Sequence, residues 1–159
     1  MLLLRSALAL VGAAYLIGKF VTQRAENRRA KSHRHEGHVF TLLDEMPLYG
    51  EPPAPFPLDD YRAAKERADA AMGEYIQSHQ VTPQALQKAG TTGMAVVAFV
   101  VEPDGTVTHP HVIRDTGHGT AKAALGVVSR MAAEGQSWRP GYRDGEAVRS
   151  RYTVTVHFG

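Results

Sequence analysis

From residue 58 onward the apolar positions follow two different periods. Tyr61, Ala64, Ala68, Ala71, Met72, Tyr75 and Ile76 recur at steps of three and four, as one face of a helix would, while Arg62, Lys65, Glu66 and Asp69 fill the opposite face. Asp59 or Asp60 stands where the cap of that helix belongs. Thr82-Pro83 predicts the cap and first turn of a short helix, which Gly90 ends. Residues 94–102 (MAVVAFVVE) read as a strand, Pro103-Asp104-Gly105 as a tight turn and 106–113 as the returning strand. Asp-Gly between β-branched runs is a strong hairpin signal, because both residues tolerate the positive φ that such a turn demands. Thr120 opens a second long helix, with Ala124, Leu125, Val128, Met131 and Ala132 on one face, ending near Gly135. The final stretch alternates. Val148, Tyr152, Val154, Val156 and Phe158 face one way, and Arg149, Arg151, Thr153, Thr155 and His157 the other. Helix, hairpin, helix, strand predicts an α+β domain: a small antiparallel three-stranded sheet with two main helices packed on one face.

The first 57 residues carry no such pattern. Residues 6–18 are uncharged and flanked by Arg5 and Lys19. Alone they would rise only about 20 Å as a helix, short of the roughly 30 Å hydrocarbon core. Leu2, Leu3 and Leu4 before them, and Phe20 and Val21 after, extend the run to a spanning length, with the two cations free to snorkel. Residues 1–22 are therefore expected to be an N-terminal membrane helix, left uncleaved. A signal peptide is the competing reading, weakened by three leucines preceding the only early arginine. Residues 23–57 read as a linker, first basic and then proline-containing, which leaves 58–159 as the folded domain. His33, His35 and His38 have a metal-like spacing, but no carboxylate or cysteine frames them, so they read as polar linker. Val39 to Tyr49 forms a small apolar patch, set apart from the body by prolines 52, 53, 55 and 57.

Charge placement narrows the function. The chain of 159 residues carries 18 Lys and Arg against 16 Asp and Glu. The excess sits at the N-terminal end: Lys19, Arg24, Arg28, Arg29, Lys31 and Arg34 face only Glu26 and Glu36, whereas the body from residue 39 on is mildly acidic. A nucleic-acid-binding domain would concentrate cations on its folded body, so no nucleic-acid partner is expected. With no cysteine there is no disulfide framework, zinc knuckle or thiol nucleophile. Gly117-His118-Gly119 lacks the remainder of a phosphate loop. His109 and His111 lie on a strand without a third ligand. Ser129 and Ser137 have no nucleophile-elbow context. The carboxylate pairs Asp59-Asp60 and Asp44-Glu45 are read as caps or loop residues. The expectation is no enzyme, no metal and no cofactor.

Taken in order, Gly93 to Val101, Asp104-Gly105-Thr106-Val107, a helix, Trp138-Arg139-Pro140-Gly141, Gly145, Val148 and the closing Tyr152 to Phe158 resemble the C-terminal domain of TonB energy transducers. Asp44-Glu45-Met46-Pro47 and Pro83-x-Ala85 resemble the versions common in the Bacteroidetes. The resemblance implies an inner-membrane anchor, a periplasmic domain and no cofactor. Its partners would be ExbB/ExbD-type motor proteins and the TonB box of TonB-dependent outer-membrane receptors. Lys and Arg counted around the apolar run would by themselves hold the body in the cytoplasm, the opposite orientation. A static membrane-anchored scaffold with the same binding domain is the alternative function.

A binding edge can also be read from the residues. If 94–101 is the middle strand, Pro110 blunts one outer strand, because it cannot donate to a neighbour. The last strand has neither proline nor glycine between Val148 and Phe158. An extended receptor segment is therefore expected to add beside Arg149, Arg151, Tyr152, Thr153, Val154, Thr155 and His157, with the two arginines offering complementarity to acids. The resemblance points to the same strand. An open edge equally allows a homodimer by strand exchange. Phe99, Val101, Trp138, Pro140, Gly141, Val156 and Phe158 are the expected structural core, with Trp138 packing against the helix that ends near Gly135.

Overall fold

The computed structural model describes residues 37–52 and 54–159. The expected anchor, His33, His35 and most of the basic linker lie outside the described residues. Among the described residues, no helix is long and apolar enough to cross a membrane. His38–Gly159 form one compact unit.

The elements follow in chain order: β1 (Leu48–Tyr49), α1 (Tyr61–His79), α2 (Gln84–Ala89), β2 (Gly93–Val101), β3 (Val107–Asp115), α3 (Thr120–Ala133), β4 (Trp138–Arg139), β5 (Gly141–Arg143), β6 (Glu146–Val148) and β7 (Ser150–Phe158). The architecture is α+β, as the two periods predict. The main sheet is antiparallel in the order β3-β2-β7, so the most apolar strand lies in the middle. Ala95, Val97, Phe99 and Val101 of β2 are wholly buried on the face that meets the helices. Tyr152, Val154, Val156 and Phe158 continue that face on β7; Met72, Tyr75 and Ile76 of α1 and Ala124, Val127, Val128 and Met131 of α3 close over it. Val127, absent from the expected stripe of α3, is part of this core.

Local chemistry accounts for most of the boundaries. Asp60 Oδ1 accepts from the Ala63 amide at 3.2 Å and caps α1. Gly90 ends α2 in the left-handed region. The start of α2 differs from expectation. Pro83, with φ −59° and ψ 138°, is itself the cap residue, and no side chain caps the helix, Thr82 included. In the β2–β3 turn, Gly105 takes φ +83°, and a Cβ there would collide with the Trp138 carbonyl oxygen, so only glycine lets the turn close onto β4. Pro110 lies on an edge strand, as its missing N–H predicts. β3 also slips register twice against β2, between Val96 and Val97 and again between Ala98 and Val100.

The largest departure from expectation lies between residues 38 and 57. Rather than a separate patch and linker ahead of a domain beginning at 58, this segment is laced into the body. β1 pairs with β4, Phe40 bridges Ser150 in parallel, and Glu45 bridges Tyr142. Phe40, Leu48 and Tyr49 are buried, and Leu48 packs with Ala64 and Ala68 of α1. The cause is apolar area: α1 carries more of it than the sheet covers, and the 38–50 segment supplies the rest. The proline stretch packs too. Tyr142 Oη donates to the Ala54 carbonyl at 2.8 Å, and the Phe56 ring stacks on Tyr142 at 5.6 Å.

Candidate functional site

The lone tryptophan organises the middle of the core. Trp138 is 1% exposed, and its ring meets Tyr49 at 5.4 Å, Phe99 at 5.5 Å and Tyr152 at 5.0 Å, all edge-on. These aromatic partners come from β1, β2 and β7, and the same core cluster holds Val128 and Met131 of the helix before it. Val101, Pro140, Gly141, Val156 and Phe158 are buried as well. Gly141 is backed so closely by Ser150 and Leu43 side chains that a Cβ would force one of them to move.

Beside the tryptophan lies a buried ion pair that sequence reading passed over. Arg139 Nη2 stands 2.6 Å from Glu45 Oε2, with the arginine side chain fully enclosed. Glu45 Oε1 accepts from the Leu58 amide at 3.0 Å, Arg139 Nη2 reaches the Pro55 carbonyl at 3.3 Å, and the guanidinium sits 4.4 Å above the Tyr142 ring. Glu45 is therefore a buried clamp and not a helix cap. It ties the 38–57 segment to β4 across 94 positions of sequence, a distance at which no spacing signal exists.

A second pair decides how much of β7 is open. Arg149 Nε is 2.7 Å from Glu102 Oε2, and its Nη2 is 2.9 Å from Oε1, a forked contact reaching the end of β2. Thr108 adds a third bond to Glu102. Arg149, followed by Thr108, holds the Glu102 carboxyl below its ordinary value. The backbone here is occupied as well: Phe40 donates to the Arg149 carbonyl at 2.8 Å and accepts from the Arg151 amide at 2.9 Å. Arg149 and Arg151 thus sit where Phe40 already fills the edge, and the Arg149 guanidinium is engaged by Glu102.

Past Arg151 no described residue pairs with the edge. Because the Arg151 amide points outward to Phe40, strand alternation points those of Thr153, Thr155 and His157 outward too, away from β2. No described residue bonds them. Tyr152 and Val154 turn into the core face, and burial pushes the Tyr152 hydroxyl up. A groove of about 310 Å³ runs beside this open stretch, bounded by Thr155 and His157 on the strand, by Gly73, Ile76 and Gln77 on α1 and by Gln80 just past its end. Gly73 is an interior helix residue with nothing within 4 Å of where its Cβ would stand. It lowers the groove wall and serves no internal contact.

The site offers backbone donors along a strand edge and a groove beside it. Among the described residues, no group of three or more His, Asp or Glu could hold a metal ion. His109 and His111 stand on the bulged edge of β3, away from the β7 groove. One legible signal went unread: Asp144-Gly145 repeats the Asp-Gly hairpin rule. Asp144 at φ 51° and Gly145 at φ 79° turn β5 back into β6, which delivers the chain to β7.

A comparison with curated proteins finds no significant match. Among solved structures, the chain is similar to the TonB C-terminal domain of Helicobacter pylori, residues 194–285, determined in solution by NMR; identity is 20%, covering 57% of this chain and 90% of that one, with a TM-score of 0.43. The family described as Gram-negative bacterial TonB protein C-terminal matches residues 78–159, from the last turn of α1 through β7. That is more than half of the chain, which therefore belongs to the TonB C-terminal family.

Proposed function

We propose that this protein is a TonB-like energy transducer whose β7 edge captures an extended segment of an outer-membrane receptor. The observation that carries the proposal is the open run of outward backbone groups at Thr153, Thr155 and His157, flanked by a groove that Gly73 keeps shallow. A strand added there gains main-chain bonds from β7, and every second side chain falls against Ile76 and Gln77. Specificity then comes from groove fit and backbone pairing. Arg149 plays little part in it, because Glu102 holds its guanidinium.

Mechanical coupling follows from the same register. β7 is bonded to β2 along nine consecutive pairs, from Gly93↔Phe158 to Val101↔Ser150. Antiparallel bonds lie across the strands, so a load along a captured segment is shared by many of them at once. In this reading residues 1–22 anchor the chain in the inner membrane and the body is periplasmic. An ExbB/ExbD-type motor supplies the work, and the receptor's TonB box is the captured segment.

The test is a proline at two of the outward positions in turn. Thr153→Pro and Thr155→Pro each remove one outward N–H without touching the β2 ladder. Each is expected to lower the affinity for a TonB-box peptide from a receptor of the same organism by about tenfold or more, with helical content retained. Unchanged affinity in both variants would sink the proposal.

A further inference from the structure

A second groove lies away from the β7 edge, between the end of α1, the start of α2 and the outer face of α3. Its volume is about 520 Å³. The floor is apolar: Val81, Pro83, Ala85 and Val127 line it, and Val81 is 75% exposed, among the most exposed large apolar side chains described. The rim is cationic. Lys122 and Arg130 stand on one side, and His79 and His118 complete the ionisable lining, with no carboxylate among the lining residues. A body that is mildly acidic overall would not produce this by composition alone. Beyond the lining, Glu134 accepts from the Tyr75 hydroxyl at 2.7 Å, and that bond, with the nearby His79 and Arg130, holds its carboxyl below the ordinary value. Neither Lys122 nor Arg130 forms an ion pair with a described residue.

The wall on α3 has a definite form. Lys122, Gly126 and Arg130 fall at steps of four, one above the other on a single helix face, and the two cations are about 12 Å apart along the axis. Gly126 sits mid-helix with nothing within 4 Å of where its Cβ would be. The helix thus carries a residue that weakens it and that no internal contact requires. What it provides is room for another backbone to approach between two positive charges. The opposite wall is held firm: the His79 ring stacks on Tyr75 at 4.1 Å, with Nδ1 2.8 Å from the Tyr75 carbonyl, and Pro83 stands against Gly119 at the head of α3.

We infer that this groove docks an acidic amphipathic helix of a partner protein. Its apolar face would lie on Val81, Pro83 and Val127, its backbone would cross close to Gly126, and carboxylates two turns apart would meet Lys122 and Arg130. This groove and the β7 groove have different lining residues and meet at the end of α1, where Gln80 lines one and His79 and Val81 the other.

The probe is a synthetic amphipathic helix with leucines on one face and glutamates on the other, titrated into the full chain and followed by amide NMR shifts. A version with lysine in place of every glutamate, and phosphatidylglycerol vesicles, are titrated in parallel. The acidic helix is expected to saturate with shifts at Lys122, Gly126 and Arg130. Lys122→Glu combined with Arg130→Glu should weaken it by about tenfold or more. Gly126→Leu should weaken it without lowering the melting temperature, and Thr155→Pro on β7 should leave it unchanged. Equal binding of the lysine version, indifference to the charge reversals, or binding to the vesicles in place of the helix would each overturn the inference.

Discussion

At the scale of single residues, the protein depends on a few enclosed side chains whose partners are far away in sequence. Trp138 touches three aromatic rings from three strands, so truncation opens a cavity that no one element can collapse into. Trp138→Ala is expected to cost about 3–5 kcal/mol, and a thermal melt within a degree or two of the parent would show that the ring contributes little. The tryptophan was legible as core because it stood alone before Pro140-Gly141. Arg139, beside it, was not, since an arginine in sequence gives no sign of being enclosed. Its worth is conditional. Arg139→Leu or Glu45→Leu alone strands a buried charge and should cost about 3–5 kcal/mol, whereas the double replacement should lie within roughly 1–2 kcal/mol of the parent or above it. Denaturant melts of the three variants close that cycle, and equal losses in single and double variants would rule out pairing as the source.

At the scale of elements, the long helices, the β2–β3 hairpin and β7 were legible because each repeats one period over many residues. Pro110 and the uninterrupted β7 even indicated which edge is blunted and which is open. β1, β4, β5 and β6 are two or three residues long, and no period can be read from so short a run. Their existence depends on tertiary pairing, Asp144-Gly145 excepted. The clasp between Glu102 and Arg149 joins the ends of β2 and β7 and gives the sheet a pH dependence. Bonding to Arg149 lowers the Glu102 carboxyl below its ordinary 4.5. The stabilisation is therefore present above that ordinary value and is lost as pH falls through the depressed one. Glu102→Gln should melt lower than the parent at neutral pH, and the two should converge in acid once the pH has fallen below the depressed value. Parallel melting curves across that range would remove the clasp from the account.

At the scale of the whole molecule, the body is a three-stranded sheet with one edge occupied at its start by Phe40, blunted on the far side by Pro110 and two bulges, and open at residues 153–157. Which strand was open could be argued from residue types alone. That the opening begins only after Arg151 could not, because Phe40 reaches β7 from more than a hundred residues upstream and no local pattern announces it. The central claim is that a receptor segment pairs with this remaining edge, and amide hydrogen exchange tests it most directly. In the free protein Thr153, Thr155 and His157 should exchange quickly, while Tyr152 and Val154, which bond to β2, exchange slowly. With saturating TonB-box peptide those three amides should become protected and the inward pair should be unaffected. If the peptide binds and the exchange of Thr153, Thr155 and His157 does not change, the segment is held elsewhere and the account of this edge is wrong.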